Sequence, residues 1–331
     1  MSDSLEIAEI ADAEAWDELA RHGVGGSVFS TRPWLESAQH AAGGTLRCFG
    51  CLKNGRLVAG LSGLERSGSG MKQLATPVLT PHCGLIYQPI EAKSPARQEA
   101  DRNRATELLL QYVSQRYHHI SLSHAPEIED LRPFSWIGFA QQVRYTYRIR
   151  IANLEDAWER LERRTRGVIR KAEEAGFEFK ETGDAGLVRN QYEQIYEKSN
   201  EPAPVNSDVV ERFVGKVLDA GLAQAFVIES SGEVASVVVF VNGFGTAYAW
   251  VAGQNPDYAA SGATSLLYWR FFGHTTLEQF DFVGANLPSI ALFKRGFGGD
   301  LTSYYAVERY RNGWTKAAFA ARRLSLRLLG R

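Results

Sequence analysis

The sequence predicts an α/β protein with mixed sheets of the α+β kind, arranged as two lobes in tandem. Three observations predict this. A chain of 331 residues with 44% hydrophobic content is long and apolar enough to bury two ordinary cores. Short alternating apolar runs, bounded by turn pairs such as Asn54-Gly55 and Ser231-Gly232, mark strands. Helices, then a hairpin, then strand, helix and strand occur in that order on each side of residue 150, unlike the strict alternation of a doubly wound parallel sheet.

Taken in order, residues 13–22 predict a helix, and Ser30-Thr31-Arg32-Pro33-Trp34 reads as the start of a second, with a hydroxyl cap and proline in the first turn. Strands at 46–52 and 57–64 flank Asn54-Gly55, and 65–70 is a Ser/Gly turn. A polar helix over 95–117 leads to a strand at 119–123, an aromatic loop at 133–139 and a strand at 144–149. The boundary is placed at 150. A basic helix over 155–175 then ends at Gly176, with further helices at 187–199 and from Ser207. Strands at 224–229, 234–241 and 246–252, a helix over 263–276 and a strand at 278–283 complete the second lobe, 151–310. The last stretch, 311–331, is a basic helix.

The halves also match in detail. Gly55-Arg56-Leu57-Val58-Ala59 resembles Gly232-Glu233-Val234-Ala235, and Thr106-Glu107-Leu108-Leu109 resembles Thr264-Ser265-Leu266-Leu267. The offsets agree to within an insertion of about twenty residues.

Composition narrows the function. A formal charge of -1 excludes a surface built throughout for a nucleic-acid backbone, so any such contact is local. No run of about 18 apolar residues occurs and the first residues are acidic, which predicts a cytoplasmic protein with no integral membrane segment. Three cysteines rule out a disulfide framework. Cys48 and Cys51 are spaced as C-x-x-C, yet on a strand such positions face opposite ways, so a structural role is expected. Neither G-x-S-x-G nor H-E-x-x-H occurs, and no metal is expected.

The chemically distinctive run is Phe293-Lys294-Arg295-Gly296-Phe297-Gly298-Gly299. Its glycines let a backbone approach a ligand closely, with a cation beside it. A lysine so placed stabilises the oxyanion that develops when an amine attacks an activated carbonyl, binds a phosphate, or merely decorates a turn. Asp281, at the preceding strand end, is the candidate general base, or else bonds the amides of Gly284 and Ala285. Gly262, Ala263 and Thr264 open a helix whose free amides suit a pyrophosphate, or whose start is simply capped by Ser261. Arg160, Arg163, Arg164, Arg166, Arg170 and Lys171 form a phosphate-binding face, Arg170 and Lys171 first, or a solvated face laced by Glu159, Glu162, Glu173 and Glu174. Arg144 lines a groove or pairs with a carboxylate. The 314–331 helix, with Lys316, Arg323, Arg327 and Arg331, lies on a membrane surface or packs on the first lobe.

With these residues set out, the chain resembles the FemABX peptidyltransferases and their acyl-CoA N-acyltransferase relatives in the GNAT superfamily. The match runs through Phe293 to Gly299, through Phe29-Ser30 and Trp34-Leu35, and through Arg166-Gly167-Val168-Ile169-Arg170-Lys171-Ala172 up to Gly176. The resemblance implies two tandem GNAT lobes, the active site in the second, and the C-terminal helix packed back on the first. It places Phe293 and Lys294 on the family's catalytic pair, and Tyr248 and Trp250 among cleft aromatics. With Arg144, and with Asn286 of the loop after the 278–283 strand, these are the expected substrate-binding residues. The expected activity is N-acyl transfer from acyl-CoA to a small-molecule or peptide amine. The alternatives are aminoacyl transfer from aminoacyl-tRNA to a peptidoglycan precursor, with tRNA as partner, and a non-catalytic GNAT-like binding module. After the N-terminal tryptophan, Glu36-Ser37-Ala38-Gln39 lacks the lysine that accompanies a UDP-linked acceptor.

Overall fold

The computed structural model describes residues 5–89, 94–199 and 202–328. Contacts group the chain into two compact units, residues 1–144 with 303–331, and residues 145–302.

In the first unit, β1 (Leu5–Glu9) is followed by α1 (Ala13–His22), α2 (Arg32–Ala42), β2 (Thr45–Lys53), β3 (Arg56–Gly68), β4 (Met71–Ala75) and β5 (Leu85–Tyr87). Next come α3 (Pro95–Arg116), β6 (His119–His124), α4 (Arg132–Trp136) and the start of β7 (Ala140–Arg150). Asp12 caps α1 by accepting from the amides of Glu14 and Ala15, and proline stands in the first turn of α2 and of α3. Asn54 and Gly55 both take positive φ, 51° and 77°, the geometry a two-residue hairpin between β2 and β3 requires.

The second unit contains α5 (Leu154–Arg160), α6 (Arg163–Glu174), β8 (Glu178–Thr182), α7 (Ala185–Ser199), α8 (Ser207–Asp219), β9 (Ala223–Ser230), β10 (Glu233–Gly243) and β11 (Thr246–Gln254). It ends with α9 (Ala263–His274), β12 (Gln279–Asp281) and α10 (Pro288–Arg295). Then β13 (Asp300–Tyr310) and α11 (Gly313–Leu328) return the chain to the first unit, where β13 pairs with β6 and Phe319 packs on His119 and Tyr310.

Each unit repeats one sheet. The first runs β1-β2-β3-β4-β6-β13, with β5 also on β3, and the second runs β8-β9-β10-β11-β12-β7. All neighbours are antiparallel except β4–β6 and β11–β12. Those two parallel pairs are the places where a helix, α3 or α9, must cross over, because parallel strands cannot be joined by a tight turn. The core of the first unit gathers Leu61, Leu109, Leu122 and Phe134. In the second unit Phe226, Phe240, Phe280 and Phe282 pack under α9, Phe240 stacked on Phe271 of that helix at 3.6 Å.

Several local expectations are corrected. The basic helix is two helices, because Leu161 and Glu162 take extended backbone that turns the Leu161 side chain into the core. The aromatic loop contains α4, started by Pro133. The short strands β1, β4 and β5 lacked enough alternation to be read. All three cysteines are buried, and burial pushes their thiols up, Cys48 and Cys83 to about 12 and Cys51 to about 11, which leaves them unreactive. Among the described residues, no helix is long and apolar enough to cross a membrane, and no three His, Cys, Asp or Glu side chains gather as a metal site.

Candidate active site

The parallel ladder between β11 and β12 is short, pairing Thr246 to Tyr248 with Gln279 to Asp281. Beyond it β11 runs on to Gln254, whereas β12 stops and its chain follows β7, the Phe282 amide donating to the Tyr147 carbonyl and the Ala285 amide to that of Tyr145. The two strands therefore part after Tyr248 and Asp281. At the carboxyl ends of parallel strands such an opening leaves backbone donors and acceptors for a ligand.

Alternation sorts the surrounding side chains by face. Tyr147, Ile149, Ala247, Ala249, Phe280 and Phe282 point to the α9 side, with Phe293 packed against that cluster. The intervening residues Thr146, Arg148, Tyr248, Trp250 and Asp281 point to the other side, where Trp250 meets Phe213 of α8 edge-on at 4.9 Å. Tyr248 and Trp250 are thus core aromatics, and lie on the sheet face opposite to Phe293.

Asp281 is 3% exposed and its carboxylate accepts three hydrogen bonds, from Thr146 Oγ1 (2.6 Å), Arg148 Nε (2.8 Å) and the Val283 amide (2.8 Å). The expected bond to the following loop is therefore made one residue earlier than Gly284. With its acceptor sites so engaged, Asp281 is placed to fix the turn. Arg148 did not stand out in the sequence; its only signal was its place between Tyr147 and Ile149 in the strand alternation, and its partner is remote along the chain.

Lys294 lies in the last turn of α10, a helix the sequence reading did not include. Leu287-Pro288 is a helix start and Gly296 its end, signals the cluster of glycines masked. Its Nζ donates to three carbonyls, Phe282 (2.6 Å), Val283 (2.9 Å) and Gly284 (2.6 Å). They converge because Val283 and Gly284 both have left-handed backbone, φ 51° and 78°. For a β-branched residue this is strained, and such strain persists only where neighbours enforce it. Asp281 does so from the Val283 N–H and Lys294 from its C=O. Burial pushes the Lys294 ammonium down to about 8, against the opposing pull of Asp281.

The glycines after Lys294 serve packing within the unit instead of approach to a ligand. A Cβ on Gly298, whose φ is 72°, would overlap the Arg160 carbonyl, and one on Gly296 would strike Thr165. Phe297 is fully buried. This turn is also tied to α6: the Glu162 amide donates to the Gly296 carbonyl (2.9 Å), and Arg295 pairs with Glu162 (3.0 Å).

At the start of α9, Gly262 has φ 82°, and a Cβ there would lie 2.7 Å from Val168 Cγ1 of α6. The Ala263 amide already donates to Ser261 Oγ (3.1 Å), and Thr264 Oγ1 donates to Ser236 Oγ (3.0 Å). The glycine is thus accounted for by helix packing. Arg170 lies over the Trp158 ring at 5.4 Å, and Lys171 is exposed. Asn286 accepts from the Tyr145 amide (2.9 Å), whereas Arg144 bonds Ser123 and Gln142 in the first unit.

Parallel strands thus part beside a crossover helix, with the half-buried Lys294 cation at the strand end. The acetyltransferase (GNAT) domain family matches residues 159–295, which span α6, the parting strands and Lys294. Compared by sequence with curated proteins, the chain has no match. Among solved structures, FemX superposes with a TM-score of 0.68 at 11% identity, over 91% of this chain and 96% of its own. The C-terminal domain of a putative lysylphosphatidylglycerol synthetase from Agrobacterium fabrum gives 0.54 at 11% identity, over 95% and 96%. L-PGS from Bacillus licheniformis gives 0.52 at 13%, over 91% and 98%. Residues 159–295 thus carry an acetyltransferase (GNAT) domain, and the chain as a whole has a FemX-like fold.

Proposed function

We propose that the protein is an N-acyltransferase that moves an acyl group from acyl-CoA to an amine at the opening between β11 and β12. The observation that carries this reading is the enforced turn at Val283, which presents the Lys294 ammonium at the end of β12. The amine nitrogen bonds to the acyl carbonyl carbon, the carbonyl oxygen takes the negative charge, and as the carbonyl re-forms the carbon–sulfur bond breaks, the departing thiolate taking up the amine's proton and leaving as free thiol. Lys294 stabilises that oxygen electrostatically, or exchanges one of its three carbonyl partners for it, a site effect that grows as charge develops. Asp281, held by three donors, positions the turn. Orienting donor and amine supplies the remaining acceleration.

A second reading, aminoacyl-tRNA as donor, is favoured by the start of α9, where Val168 and Ser261 occupy features a CoA pyrophosphate would use. In the test, acyl-CoA thioesters and amines are incubated with the enzyme and thiol release is followed. Lys294→Met should lower kcat by about 10²–10³, with melting temperature as the folding control. Equal turnover by wild type and Lys294→Met would remove the lysine from the chemistry.

A further inference from the structure

We infer that Tyr268 selects the acyl group, its hydroxyl hydrogen-bonding to a hydroxyl that the acyl chain carries near the carbonyl. The inference rests on the acyl-transfer reading of this site and names the class of acyl group it takes. Tyr268 stands in the middle of α9 and is 3% exposed. Its ring centroid lies 5.5 to 5.9 Å from five others, all of them phenylalanines. These are Phe240 of β10, Phe280 of β12, Phe282 just beyond it, Phe293 of α10 and Phe297.

The side chains of that shell hold no nitrogen or oxygen, and among the described residues the Tyr268 hydroxyl makes no hydrogen bond. Burial alone acts on it and pushes its ionisation up, which keeps it neutral. Other buried tyrosines are paired, Tyr87 with Thr106 (2.5 Å), Tyr117 with Glu65 (2.8 Å) and Tyr192 with the Val205 carbonyl (3.2 Å). A buried hydroxyl without a partner costs free energy that phenylalanine, of nearly the same shape, does not. The chain uses phenylalanine at all five surrounding positions, so packing does not account for the hydroxyl at 268. A bound group does.

The position of the ring says which group. Phe240 is paired with Ala249 of β11, and Phe280 with Ala247. A ring that touches Phe240 on one side and Phe280 and Phe282 on the other therefore spans β11 over these two small side chains, where β11 and β12 part. Phe282 also gives its carbonyl to Lys294 (2.6 Å), and Phe293 immediately precedes that lysine. An acyl group whose carbonyl oxygen meets the Lys294 ammonium thus has its first carbons beside Tyr268. The partner is neutral: the five rings carry no charge, Asp281 points to the opposite face of the sheet, and the Lys294 ammonium repels an amino-bearing chain.

Calorimetry on the full-length protein, without an amine acceptor, tests this with propionyl-CoA, lactoyl-CoA, 3-hydroxypropionyl-CoA and β-alanyl-CoA, which share one carbon chain. One of the two hydroxyacyl thioesters is expected to bind at least about tenfold more tightly than propionyl-CoA, the discrimination that one hydrogen bond to an otherwise unpaired buried group supplies. In Tyr268→Phe that preference should fall to about one, with propionyl-CoA bound as before or more tightly and the melting temperature at or above the wild-type value. Equal binding of propionyl-CoA and both hydroxyacyl thioesters by wild type overturns the inference and leaves the acyl-transfer reading standing. So does a preference that survives in Tyr268→Phe, or tightest binding of β-alanyl-CoA. A lower melting temperature for Tyr268→Phe also overturns it, since the hydroxyl then has a partner within the fold. Binding of none of the four overturns both readings.

Discussion

Lys294 has two possible protonation roles, and its depressed pKa separates them within an accessible pH range. With the ammonium titrating near 8, stabilisation of an oxyanion is present below that pH and fades above it. The ratio of wild-type to Lys294→Met kcat cancels the titration of the amine acceptor. It should be largest near pH 7 and fall as pH rises through about 8; a ratio that climbs instead would make Lys294 a proton acceptor. His124, in the first unit, gives a second pH dependence. It is fully buried, its Nδ1 accepts from the Leu85 amide (3.0 Å), and burial pushes it down to about 3. Between 6.5 and 3 the unfolded chain binds a proton that the folded one refuses, so stability falls as pH drops. From pH 7 to 5 the loss attributable to His124 is about 2 kcal/mol, read by urea unfolding of wild type against His124→Asn. The chemistry of Lys294 was legible in its residue type and setting, and the carbonyl cage around it was not. Three acceptors ten to twelve residues away converge only because a valine adopts left-handed backbone, which no local pattern announces.

At the scale of elements, helix starts and hairpins were readable because one or two residues dictate each. Asn54-Gly55 sets a turn through positive φ, and Pro33 stands in the first turn of α2. The short strands β1, β4 and β5 were not readable, β5 being recognised only through its pairing with β3, whereas the equally short β12 was. The face on which a residue falls depends on register as well as alternation, which is why Tyr248 and Trp250 lie away from Phe293 although the sequence grouped them. The turn between α10 and β13 gives a sharp test. Gly298→Ala combines a φ of 72° with a Cβ overlapping the Arg160 carbonyl, so the loss should be about 2–4 kcal/mol by chemical denaturation. A loss below about 1 kcal/mol would mean that α5 yields easily to this turn.

For the whole molecule, duplication was visible in the order of elements, and the exchange of closing strands was not. The first unit takes its last strand, β13, from beyond the second, which itself uses β7, preceding its other strands, beside β12. Within the first unit β13 buries Val307 and brings Glu308 to His119 at 2.9 Å. A chain ended at Thr302 should therefore lose hydrogen-exchange protection in β6 and aggregate through its open edge, while residues 145–302 keep theirs. Equal protection of β6 in both chains would show that β13 is dispensable.

That arrangement also sets a schedule for biosynthesis. As the polypeptide leaves the ribosome, every strand of residues 145–302 is available before residues 303–310, so the later-made unit is the first able to complete its sheet. The first unit must wait with β6 uncovered until residues 303–310 have emerged. A nascent chain paused at that stage is where a chaperone would find exposed strand edge.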